Sequence, residues 1–135
     1  MNGPKRPPAG ELKGGAPRSL APCPARPNCA STRQEGGVEP LPYTSRDRAL
    51  ERLRALLAAL PRTRIVVDEA DEGGYLRAEV RSRLFGFVDD LEILLDEAEK
   101  RIHLRSASRV GYSDLGVNRK RLLEIRRLFL AGGPV

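Results

Sequence analysis

The sequence has no tryptophan, six other aromatic residues in 135 (three Tyr and three Phe), one histidine, one methionine and two cysteines. Each scarcity excludes something. Two thiols and a distant His103 fall short of the four ligands of a structural zinc site, so no metal and no cofactor is expected. The aromatic residues are not interleaved with basic ones, so stacking platforms for nucleic acid are missing and nucleic acid is not an expected partner. No run of about eighteen apolar residues occurs, so no transmembrane helix is encoded. Met1 to Pro8 lacks the apolar stretch of a secretory signal, and the chain as written is expected in the cytoplasm. In that compartment Cys23 and Cys29, in a Pro-rich segment, would be reduced thiols; a local disulfide is the alternative under oxidising conditions.

Proline and charge, by contrast, are plentiful and unevenly placed. Residues 1–36 carry most of the prolines and few large apolar side chains, which reads as an irregular arm, disordered to about Leu20. We place the boundary at residue 22 and a single domain over residues 23–132. The net charge of +6 also divides unequally: six basic and two acidic side chains in residues 1–36, eleven and fourteen in 37–104, seven and two in 105–135, or +4, −3 and +5. An excess of cations in the arm and at the C-terminal end favours an anionic small molecule or an acidic protein surface as partner.

The domain's elements follow from periodicity. Thr44 or Ser45 can cap a helix whose Ala49, Leu50, Leu53, Leu56, Leu57 and Leu60 form one stripe, stopped by Pro61. Four strands are expected: Arg64 to Asp68, Tyr75 to Ser82, Phe85 to Leu95 and Arg101 to Ser108, the first turning through Asp71-Glu72-Gly73-Gly74. Val38 to Tyr43 could follow a sheet edge, where proline is tolerated. A second helix begins with Asn118 as N-cap and ends at Gly132-Gly133-Pro134. The expectation is therefore an α+β fold in the order α-β-β-β-β-α: a four-stranded antiparallel meander with both helices on one face and charges on the other.

Matching apolar faces sets Ile93 opposite Ile102 and Leu91 opposite Leu104 across a loop at Asp96 to Glu99. This register puts Glu92 opposite His103, Asp90 opposite Arg105 and Arg77 alongside Asp90 on the outer face. Inside, Asp89 would meet Ser106 and Phe87 would meet Ser108.

Three stretches go beyond periodicity: Pro27-Asn28-Cys29, Arg81-Ser82-Arg83-Leu84-Phe85-Gly86-Phe87-Val88-Asp89-Asp90-Leu91-Glu92, and the run from His103 through Arg105-Ser106-Ala107-Ser108-Arg109 to Gly116-Val117-Asn118-Arg119. Together they closely resemble domain-of-unknown-function family 1499 over roughly residues 23 to 130. The resemblance supports the domain boundaries and implies no particular activity. Similar proteins often carry a secretory or lipoprotein signal before the paired cysteines, or a plastid address; this chain departs from them there, and an extracytoplasmic location is the alternative it implies.

The strand-loop-helix junction over residues 105–121 is where chemistry is expected. A strand ending in hydroxyls and guanidinium groups, followed by a Gly-containing loop into a helix N-terminus, can hold an anion. Arg105, Arg109 and Arg119 would supply charge, with Ser106, Ser108, Tyr112, Asp114 and Asn118 as hydrogen-bonding partners. Arg119, Lys120 and Arg121 sit where the macrodipole disfavours cations, so a nearby acid or a bound anion should offset them. The favoured function is a non-catalytic binding or accessory domain. The alternatives are an enzyme using a semi-buried Asp89, and a structural or interaction domain. A serine-histidine pair is excluded because residue 103 points away from residues 106 and 108. Asp90, Glu92 and His103 could face a metal together, but a cross-strand charge ladder with Arg77 and Arg105 is the favoured reading of the same residues.

Overall fold

A computed structural model describes residues 19–83, 86–111 and 114–135. The expectations for the arm over residues 1–18, for Phe85 and for Tyr112 lie outside them. In chain order the elements are β1 (Cys29–Ser31), β2 (Leu41–Pro42), α1 (Arg46–Ala59), β3 (Thr63–Glu69), α2 (Ala70–Gly73), β4 (Tyr75–Arg81), β5 (Val88–Asp96), β6 (Arg101–Ser108) and α3 (Val117–Ala131).

The α+β class and the antiparallel sheet agree with the expectation, but the sheet has six strands rather than four, and there are three helices rather than two. β3 to β6 form the meander. The extra strands are short and come from the segment before α1: Ala30 pairs with Ser106 and Leu41 with Ile102, so β1 and β2 both lie along the outer edge of β6. Pieces of three and two residues leave no period to read, which is why the order α-β-β-β-β-α missed them. α2 replaces the expected hairpin turn after β3. Its single turn ends at Gly74, whose φ of 71° favours glycine and where an added Cβ would lie 3.2 Å from Leu95 Cβ.

α1 forms as its stripe requires. Ser45 accepts from the backbone N–H of Arg48 at 3.2 Å, and Ala49, Leu50, Leu53 and Leu57 are buried. α3 buries Leu122, Ile125 and Phe129 against the same sheet face, where Leu76, Leu91, Ile93, Ile102 and Leu104 are fully buried. Each such side chain contributes about 1.5–3 kcal/mol by leaving water. Arg52 of α1 caps the end of α3, donating to the carbonyls of Phe129 and Gly132 at 2.8 and 2.7 Å.

The last hairpin keeps the expected faces but not the expected register. Ile93 lies opposite Leu104, Leu91 opposite Ser106 and Leu95 opposite Ile102, because Asp96 remains in β5 and the turn occupies residues 97–100. Asp96 accepts from the N–H of Glu99 at 3.1 Å, and Lys100 takes a φ of 57° to close the turn. The shift of one cross-strand pair per face corrects three juxtapositions: Glu92 meets Arg105, Asp90 meets Ala107, and Asp89 takes the place opposite Ser108 expected of Phe87. Arg77, across from Glu92, lies alongside Asp90 as expected, at 2.8 Å.

The outer face is not a solvated one. Leu20 packs with Tyr75, Leu94 and Val67, and Glu92, Arg105 and His103 are 1%, 6% and 5% exposed. The segment that does part of this covering runs into a disulfide between Cys23 and Cys29, where the cytoplasmic expectation left thiols. With a sequence separation of six, loop-closure entropy gives the bond about 2 kcal/mol of stabilisation. A Cys23→Ser, Cys29→Ser variant should therefore melt several degrees below the oxidised wild type in a calorimetric scan, and addition of reductant should move only the wild type.

Candidate functional site

The junction of β6, the loop after it and α3 is built around Asn118, which is fully buried. Its Oδ1 accepts from Ser106 Oγ at 2.6 Å and Arg121 Nη1 at 2.8 Å. Its Nδ2 lies within hydrogen-bond distance of Asp114 Oδ2 (2.6 Å), Ser108 Oγ (2.9 Å) and the Asn28 carbonyl (3.2 Å). Arg121 Nη1 also donates to Asp89 Oδ2 at 2.8 Å and Ser106 Oγ at 3.1 Å. Asp89, the candidate acid or base, is thus ion-paired to Arg121 inside the fold.

Asn118 is not the helix cap. α3 begins one residue earlier, and Asp114 does the capping: its carboxylate accepts from the N–H of Gly116 at 2.7 Å and of Asn118 at 3.1 Å. Burial opposes ionisation of Asp114, but the Asn118 amide and these backbone donors outweigh it and hold the carboxyl below its ordinary range. A carboxylate at the start of α3 and another on Arg121 supply the offset that three first-turn cations require.

The opposite face of the same strands holds a second network. Arg109 donates from Nε and Nη2 to Asp90 at 2.8 Å each and from Nη2 to Glu79 at 2.8 Å, while Arg77 reaches Asp90 at 2.8 Å. Arg109 holds the Glu79 carboxyl below its usual range. Deeper in, Tyr75 donates to Glu92 at 2.7 Å, and Arg105 lies 3.4 Å from the other Glu92 oxygen and from the Pro22 carbonyl. Burial outweighs both partners and raises the Glu92 carboxyl above its ordinary range.

The expected ligand set is therefore divided. Ser106, Ser108, Asp114 and Asn118 converge on the helix side with Asp89. Arg105 and Arg109 lie on the outer face among carboxylates, and Arg119 donates to the Gly36 carbonyl at 3.3 Å in an exposed position. His103 leaves the Asp90 and Glu92 group and stands near Asp96 and Glu99 at the hairpin end. Arg121 and Glu79 are the residues that sequence reading missed. Only the crowding of cations in the first turn of α3 hinted at the former.

Beside the junction, between the end of α1, the ends of β3 and β4 and the start of α3, lies a cleft of about 290 Å³. Arg62, Lys120, Arg121 and one carboxylate, Glu124, line it together with Leu60, Val80 and Ile125. Arg62 holds a φ of 55°, an unusual conformation for a residue with a side chain.

A family model described as a protein of unknown function, DUF1499, matches residues 19–129. The chain belongs to the DUF1499 family. No curated protein and no solved structure matches it. In DUF1499 terms the match takes in every strand and almost all of α3, so the junction, the outer-face network and the cleft all fall inside it. Among the described residues of this DUF1499 chain no helix is long and apolar enough to cross a membrane.

Proposed function

We propose that this domain is a non-catalytic binding module that takes a small amphipathic anion, a carboxylate or phosphate with an apolar portion, at the junction end of the sheet. The observation that carries the reading is the cleft in which Arg62, Lys120 and Arg121 stand over Leu60, Val80 and Ile125. Apolar lining with a few placed polar groups is the ordinary composition of a small-molecule site. What favours binding over catalysis is that Asp89 is held by Arg121, and the Ser106 and Ser108 hydroxyls are engaged by Asn118. The anion-holding role shifts from Arg105, Arg109 and Arg119 to the cations of the cleft.

Arg62→Gly separates ligand loss from fold damage, because glycine adopts the positive φ that arginine holds at a cost. Octyl phosphate should raise the melting temperature of the wild type more than inorganic phosphate does. The Arg62→Gly, Lys120→Ala variant should need roughly ten-fold more for the same shift, the worth of a charge-assisted hydrogen bond. Equal responses from variant and wild type would refute the cleft as the site.

A further inference from the structure

The far end of the sheet carries a group of side chains that the junction does not use. Asp96 at the end of β5, Glu99 in the turn and His103 on β6 place one ligand atom each within 4.8 Å of one another. Carboxylates clustered at a turn are common. What distinguishes this group is His103, whose side chain is 6% exposed and whose Nε2 has no hydrogen-bond partner. The nearest acidic oxygen, Glu99 Oε1, is 3.6 Å from Nε2, beyond hydrogen-bond reach.

The other ring nitrogen explains why. His103 Nδ1 lies 2.9 Å from Thr32 Oγ1, and that hydroxyl also accepts from the N–H of Leu104 at 3.1 Å and can donate to the Leu104 carbonyl at 3.4 Å. With the hydroxyl proton on the Leu104 carbonyl, Thr32 accepts from Nδ1–H, and the lone pair of Nε2 faces two carboxylates. A metal-bound histidine shows this same arrangement, its second nitrogen donating to a fixed acceptor that orients the ring.

We propose that Asp96, Glu99 and His103 bind a divalent transition-metal ion, with zinc as the best match to one imidazole and two carboxylates. Three protein ligands leave a coordination position open to water, as in exchangeable rather than closed sites. Glu99, 60% exposed at its side chain, gives the ion its route in. Arg33 Nη2, 3.6 Å from Asp96 Oδ2, is the cation that the metal would displace. Thr32 is a positioning residue.

His103 is the only histidine in the chain, so its ring reports on the site without ambiguity. The experiment uses untagged full-length protein with the disulfide intact and no reductant, stripped with chelator and titrated with zinc, manganese and magnesium chlorides. Zinc should raise the melting temperature and shift the His103 ring nitrogen resonances, and magnesium should do neither. Glu99→Gln and Asp96→Asn, which keep the turn's shape, should each weaken zinc at least ten-fold, and Thr32→Val by about ten- to hundred-fold. The proposal is overturned if zinc leaves the His103 signals unmoved, or if Glu99→Gln and Asp96→Asn bind zinc as the wild type does.

Discussion

Asn118→Ala is expected to cost about 3–5 kcal/mol, the range in which breaking a buried hydrogen-bond network falls. The amide is fully buried, and its removal takes the acceptor of the Ser106 hydroxyl, leaving that oxygen only Arg121, and one of the two donors to the Asn28 carbonyl, leaving it the Ser108 N–H. It also takes one acceptor from Arg121 and one donor from Asp114. Asn118 and Ser106 are both fully buried, so their lost hydrogen bonds are not simply exchanged for water. Asn118→Asp is the sharper probe. It keeps the shape and the Oδ1 acceptor but removes the Nδ2 donor and brings a second carboxylate against Asp114, so it should be no more stable than the alanine variant. Urea denaturation of the three proteins measures both, and a loss below about 1 kcal/mol for either would show that the junction is held by packing alone.

Arg105→Met should cost a similar amount at neutral pH, about 3–5 kcal/mol, because it leaves Glu92, with 1% of its surface exposed, without its ion-pair partner. The pH dependence identifies the cause. Burial has already raised the Glu92 carboxyl, and loss of the neighbouring guanidinium raises it further. A carboxyl whose folded pKa lies above its unfolded one adds stability that is complete below the unfolded value and lost as pH rises through the folded one. The deficit of the variant should therefore shrink as pH falls through the raised value of Glu92 toward the ordinary glutamate range. Glu79 and Asp114, held below their usual ranges, destabilise both proteins in acid alike and cancel in the comparison. A deficit that stays constant with pH would mean that Arg105 matters for packing and not for charge.

The core was legible because it obeys one period at a time. The stripe of α1, the alternation in β4 and the apolar face of α3 each name their own inward residues, and α1, β4 and α3 lie where those patterns put them. Register was harder. The expected pairing of Ile93 with Ile102 and the observed one with Leu104 bury the same face, and only Asp96, by capping the turn from within β5, selects the latter. β1 was illegible as a strand, since three residues display no alternation and gain their pairing from β6, whereas β2 falls within the Val38 to Tyr43 segment expected along a sheet edge. The sequence grouped Ser106, Ser108, Asp114 and Asn118 at the junction, where the structure brings them together on the helix side. It grouped Arg105 and Arg109 with them by nearness along the chain, although its own alternation put Arg105 on the outer face, where the structure has both among carboxylates. Partnerships such as Arg121 with Asp89 join residues 32 apart and have no local signature.

From Asp89 to Asp96, β5 runs seven residue steps, roughly 23 Å at about 3.3 Å per step. Physiological salt screens charge over about 8 Å, so the two ends of the sheet lie nearly three screening lengths apart. A cation held by Asp96 and an anion drawn to Lys120 would each be invisible to the other. If both proposed sites are filled, the strand between them would act as an electrostatic spacer, and the two solutes of opposite charge would bind independently.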